Sequence, residues 1–283
     1  MKLPERLGRL LPAAAYAGLA LCILGPLLAP GYVLAVDMVF SPHTAWPETL
    51  TSGYPYHALV HLLNILLPGD LVQKILLFTA FLTAGLGAHI LLRTLKPAAI
   101  PMRVWTLSCY FAGLWFVLNP FVYARFLSGQ YLVLLGYALL PWLVMGLWRL
   151  FEQPEWRRLW QPVLCALLLG AASLHMLGVA LVAGVILAAV LLWQRRSDTV
   201  WLKRCLKLLA CGAALFLVIS SYWIIPLATG GEQSATIQGF SEEDRAAFQT
   251  VPGSLTILGN PLALYGFWGD AQNLYLLPAD YYT

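Results

Sequence analysis

The sequence predicts an all-α, polytopic transmembrane helical bundle of about seven passes, N-terminus inside and C-terminus outside. Three observations carry this. Hydrophobic residues make up 60% of the chain and charged residues 11%, a balance outside the range of soluble proteins. Of the 17 Lys and Arg residues, fourteen fall in four clusters: Lys2/Arg6/Arg9, Arg93/Lys96/Arg103, Arg149/Arg157/Arg158 and Arg195/Arg196/Lys203/Arg204/Lys207. Nine of the 13 acidic residues lie instead in the cation-poor loops between them. Inserted chains retain Lys and Arg on the cytoplasmic side, so the clusters mark the inside face. The net charge of +4 follows from topology and anionic headgroups, which argues against a nucleic-acid partner.

The first pass, about 11–30, follows a basic N-terminus. Its apolar run is long enough to span by itself, so it reads as a retained signal anchor. Residues 31–69 form an outer loop without Lys or Arg, containing an interfacial helix at about 56–67. The second pass covers about 70–94. The third, about 104–119, stops at Asn119-Pro120, because proline disfavours helix at the residue before it. The fourth starts near Tyr131 and returns to Arg149.

Val163 to Trp193 is an apolar run of 31 residues with basic clusters on both sides. A single helix would put those clusters on opposite faces. Two short passes of about 15 residues, turning near Ser173-Leu174-His175, keep both inside and predict a short helical hairpin at about 163–193. Such a hairpin falls short of a full bilayer and is a candidate wall for a lipid or substrate groove. The alternative is one long tilted helix. The last pass spans about 207–228. Residues 1–229 thus form the transmembrane domain and 230–283 an acidic extracytoplasmic segment, whose Gly266-Phe267-Trp268-Gly269-Asp270 stretch either folds over the groove or is solvated. The five cysteines sit in or beside apolar segments without zinc-type spacing and read as small hydrophobes.

Few residues are placed to carry chemistry. Asp37 follows the first pass within a bulky apolar stretch. Partial desolvation there would improve it as a general base; otherwise it is a solvated loop residue. His57 and His61, at i and i+4, share one helix face. They bind zinc if a third ligand such as Asp37, His43 or Glu48 joins them, or they form the polar stripe of an interfacial helix. Arg125 is the sole charge in the second outer loop, 119–130. A guanidinium at the membrane boundary needs a phosphate, or a pairing with Asp37, Asp70 or a helix-end carbonyl. Tyr123 and Gln130 flank it. His175, at the hairpin tip, faces the groove or bonds a neighbouring helix. Asp70 and Lys74 are spaced for an i, i+4 ion pair, and His89 reads as structural. P-loop, Gly-x-Ser-x-Gly and His-Glu-x-x-His motifs are absent.

The long outer loop with Asp37, the interfacial helix, and the stretches Asn119-Pro120-Phe121-Val122-Tyr123-Ala124-Arg125 … Ser128-Gly129-Gln130 and Leu135-Gly136-Tyr137-Ala138-Leu139-Leu140-Pro141-Trp142 resemble the GT-C superfamily of integral membrane glycosyltransferases. The resemblance implies a polyprenyl-phosphate sugar donor bound from the membrane and transfer to an acceptor on the outer face of the plasma (inner) membrane. It implies Asp37 as the catalytic base and Arg125 as a donor-phosphate contact. Tyr123, Gln130, His57, His61 and His175 are further substrate-binding candidates by their position in this sequence. One acidic residue rather than a pair leaves a divalent cation as an open question among cofactors. Two other classes fit the same architecture: a lipid-linked sugar transporter or flippase, and a non-catalytic subunit that scaffolds a cell-envelope complex beside a membrane partner.

Overall fold

A computed structural model describes residues 5–231, with 239, 241–248, 259–262 and 264 beyond them. Among the described residues the regular secondary structure is helical, apart from one isolated bridge, Ala35 to Met38. The helices are α1 (Glu5–Leu24, prolonged by a 3-10 turn Gly25–Leu28), α2 (Tyr54–Leu66), α3 (Gly69–Thr94), α4 (Met102–Val117) and α5 (Pro120–Leu127). They continue as α6 (Tyr131–Glu152), α7 (Trp156–Ala172), α8 (Leu174–Gln194), α9 (Thr199–Ile219) and α10 (Ser221–Ala228). The expected stretch 266–270, and most of the expected segment 230–283, lie outside the described residues.

Side-chain chemistry sets the breaks. Asn119 caps α5 by accepting from the Val122 N–H at 3.0 Å, and Pro120 takes the first helical position, where its missing donor costs nothing. The backbone is extended at Ser173, whose hydroxyl accepts from Met176 N–H at 3.3 Å and starts α8. Asp198 caps α9 through Trp201 N–H at 3.0 Å.

The inter-helix contacts fix the directions. Tyr16 of α1 meets Gly85 of α3, while Lys74 at the other end of α3 donates to the Ala29 carbonyl just past α1, so α1 and α3 are antiparallel. His89 lies against Tyr110, and Gly85 beside Val117, so α4 turns back along α3. Gly146 of α6 meets Pro162 of α7, and Gly136 meets Met176 and Ser173. Gly184 of α8 lies near Leu147, so α7 runs against both α6 and α8. This alternation puts all the described basic clusters at one end of the bundle. Asp37, Asp70, Arg125 and Ser173 sit at the other.

Small residues let the backbones approach, as is usual between membrane helices. Tyr16 fills a seat at Gly85 and Gly113, and Trp142 packs on Gly87 while donating to the Thr83 carbonyl at 3.0 Å. Tyr16 is buried; its hydroxyl pairs with His89 Nδ1 at 3.1 Å and reaches the Cys109 and Tyr110 carbonyls at 3.4 and 3.3 Å. His89 is thus buried and bonded to Tyr16, in keeping with the structural reading.

Five helical segments are long and apolar enough to cross a bilayer, or six if the bent pair α9/α10 counts as one span. α7, at 17 residues, is slightly shorter than these. The expected break near Ser173 is present, but the hairpin is not uniformly short. α8 has 21 residues, about 31 Å of rise, and spans by itself. α7 starts seven residues earlier than expected because Arg157 and Arg158 lie in its first turn rather than in a loop. The second outer loop is also mostly helix, as α5. The last pass bends by 72° at Ser220 instead of running straight.

Candidate functional site

The loop after α1 is fastened by polar side chains of α3. Gln73, 1% exposed, accepts from Val33 N–H at 2.8 Å and donates to Val33 O at 2.7 Å, replacing a strand partner. Asp70 accepts from Gly31 N–H at 3.0 Å and pairs with Lys74 at 3.6 Å, the expected i, i+4 pair. Asn64 of α2 accepts from both the Thr44 N–H and its hydroxyl, and donates to Leu67 O.

This loop turns tightly at Ala35–Met38 and docks on the α5–α6 junction. Asp37 N–H donates to Ser128 O at 2.8 Å. Gly129 beneath it has φ +77°, and a Cβ there would lie 2.7 Å from Met38 N. Both the conformation and the contact require glycine.

The docking aligns three side chains. Arg125 Nη1 donates to Gln130 Oε1 at 2.6 Å, and Gln130 Nε2 donates to Asp37 Oδ2 at 2.8 Å. The amide is a relay: its oxygen faces the cation and its nitrogen the anion. The Arg125 guanidinium also lies over the Phe121 ring, 5.2 Å from its centre. Gln130 reaches Asp37 across 93 residues of sequence, so one glutamine ties the carboxylate to the guanidinium. Sequence reasoning named all three residues but missed that Gln130 connects the other two. The expected desolvation of Asp37 is not met by the protein itself. The residue is exposed, in a loop whose Leu34, Val36 and Val39 are also exposed, because the turn points outward.

The histidines stand apart from this chain of bonds. His61 Nδ1 contacts the Thr44 carbonyl at 2.6 Å, and its ring meets Trp46 edge-on. His57 is exposed beside Tyr56 and Gly53. Among the described residues no three His, Cys, Asp or Glu side chains are grouped to hold a metal ion, so the zinc reading of this pair lacks its third ligand. His175 is exposed at the start of α8, and Tyr123 is exposed on α5 beside Arg125.

Next to Gln130, Tyr131 packs against Tyr56, 5.9 Å between rings. The Tyr56 hydroxyl is buried without a partner in hydrogen-bond geometry, and burial, then the neighbouring Tyr131, pushes its pKa up. A buried hydroxyl without a partner costs stability, so Tyr56→Phe is expected to be neutral or stabilising by about 1 kcal/mol. Thermal unfolding in detergent checks this; a clear drop in midpoint would show that the hydroxyl has a partner.

A family model described as the 6-pyruvoyl-tetrahydropterin synthase related domain, membrane protein, matches residues 52–267. The match includes Tyr123, Arg125, Gln130 and the three histidines, and begins after Asp37. No curated protein and no solved structure matches the chain significantly. With its basic clusters at one end and several apolar spans, this is a multi-pass integral membrane protein, and it belongs to the 6-pyruvoyl-tetrahydropterin synthase related domain family.

Proposed function

We propose that the chain is a glycosyltransferase of the GT-C type, moving a sugar from a polyprenyl-phosphate donor to an acceptor at the outer face of the plasma membrane. The observation that carries this reading is the Arg125–Gln130–Asp37 relay at the end of the bundle opposite the basic clusters. A carboxylate and a guanidinium, held by one amide beside exposed apolar loop residues, suit a reaction in which one partner loses a proton and the other gains phosphate charge.

In this reading Asp37 Oδ1 takes the proton of the acceptor hydroxyl while Oδ2 stays held by Gln130. The acceptor oxygen attacks the anomeric carbon from the face opposite the phosphate, and the bond from that carbon to the phosphate oxygen breaks with inversion. The planar fork of Arg125 faces the polyprenyl phosphate as its negative charge increases. Leu34, Val36 and Val39 give the polyprenyl chain an apolar edge to approach along.

The test is transfer of radiolabelled sugar from a mixed pool of polyprenyl-phosphate sugars by the purified full chain. Asp37→Asn keeps an acceptor for Gln130, so the loop stays docked. It is expected to lower transfer by about 100-fold or more, the contribution of a positioned general base. Transfer by Asp37→Asn at the wild-type rate would sink the reading, and absence of transfer by wild type would favour a transporter or a non-catalytic subunit.

A further inference from the structure

We propose that the first three turns of α9 form a binding site for the headgroup of an anionic phospholipid from the leaflet at the basic end. Lys203, Arg204 and Lys207 are all exposed there. At i, i+1 and i+4 they form a triangle on one side of the helix, where like charges repel. None of the three is in an ion pair with a described carboxylate. The nearest acid in sequence, Asp198, is engaged in capping Trp201.

Orientation in the membrane does not need this arrangement. The turn before α9 already carries Arg195 and Arg196, and each rests on an indole: Arg195 lies 5.3 Å over Trp201, Arg196 4.0 Å over Trp193. Three further cations within the helix, at repulsive spacing, destabilise it unless an anion from outside lies among them. Two neighbouring features fit a lipid rather than a free ion. Leu208 and Gly212, on the other side of α9, are buried against Leu159 and Val163 of α7, so the triangle looks out of the bundle. Along the same side of α9, Ala210, Ala213, Ala214 and Leu217 are exposed and leave a shallow apolar strip. A phosphate held by the triangle would lay an acyl chain along that strip, the lysine stems extending toward the headgroup.

The test uses the full chain in phosphatidylcholine vesicles doped with pyrene-labelled phosphatidylglycerol or, at the same fraction, pyrene-labelled phosphatidylcholine. Energy transfer from tryptophan to pyrene reads lipid enrichment at the protein. Wild type is expected to enrich the anionic probe several-fold, less so at high salt. Lys207→Gln should lower that preference in part, and K203Q/R204Q/K207Q should remove it. Neutralising Arg93, Lys96 and Arg103 instead is expected to leave it. Equal enrichment of both probes by wild type overturns the proposal whatever the variants do, and so does an equal loss from the two neutralised clusters. Inorganic phosphate competing with the probe as well as phosphatidylglycerol vesicles do would overturn the assignment to lipid. Sugar transfer has no part in the readout.

Discussion

Gly113→Ala is expected to lower the stability of the bundle by about 3 kcal/mol or more, at the upper end of what overpacking costs. A Cβ at this position would lie 2.1 Å from the Tyr16 hydroxyl and 2.5 Å from the Gly85 carbonyl oxygen. One of these obstacles is backbone, so a rotamer change cannot clear both. The displaced tyrosine also gives up its contacts with His89 and with two carbonyls of α4, in surroundings where no water replaces them. Thermal unfolding of the detergent-solubilised chain measures the effect. Tyr16→Leu in the same background should recover part of the loss, since residues in contact couple. An unchanged unfolding midpoint for Gly113→Ala would mean that α1, α3 and α4 pack differently.

The second large effect is expected at Gln73. Replacing it with leucine keeps the volume close but leaves the Val33 N–H and C=O without partners. Each orphan shielded from water costs about 1–3 kcal/mol, so the total is about 2–6 kcal/mol. The loss should be local. The loop after α1 would undock while the helices remain, because Gln73 joins the bundle to that loop and not to another helix. Hydrogen exchange at residues 31–40 should rise sharply, and the Asp37–Gln130 bond should fail with it. Unchanged protection in that stretch would show that Asp70 and Lys74 suffice to hold it.

Much of the fold is legible in the sequence because two simple signals report it. Charge asymmetry places the ends of the spans, and Asn119-Pro120 and Ser173 announce breaks by their own chemistry. The interfacial helix, expected at about 56–67, is found at Tyr54–Leu66. Helix ends were harder to read: Arg157 and Arg158 look like loop residues, yet they form the first turn of α7. The site is half legible. Asp37, Arg125 and Gln130 stand out as polar residues at the membrane boundary, and the ion pair of Asp70 with Lys74 follows from spacing. Gln73 and Tyr16 do not stand out, since their partners lie 40 and 73 residues away and no periodicity points to them. Gln73 looks like an ordinary polar residue in a helix until the strand-like segment it serves is in view.

The bend at Ser220 bears on how the protein is made. It brings Tyr222 back so that its hydroxyl donates to the Ser52 carbonyl at 3.0 Å, across 170 residues of chain. During synthesis the first outer loop emerges early, yet this fastening arrives only with α10. Until then the segment leading into α2 has one attachment fewer, and it gains its Tyr222 contact only after α1 to α9 have left the ribosome.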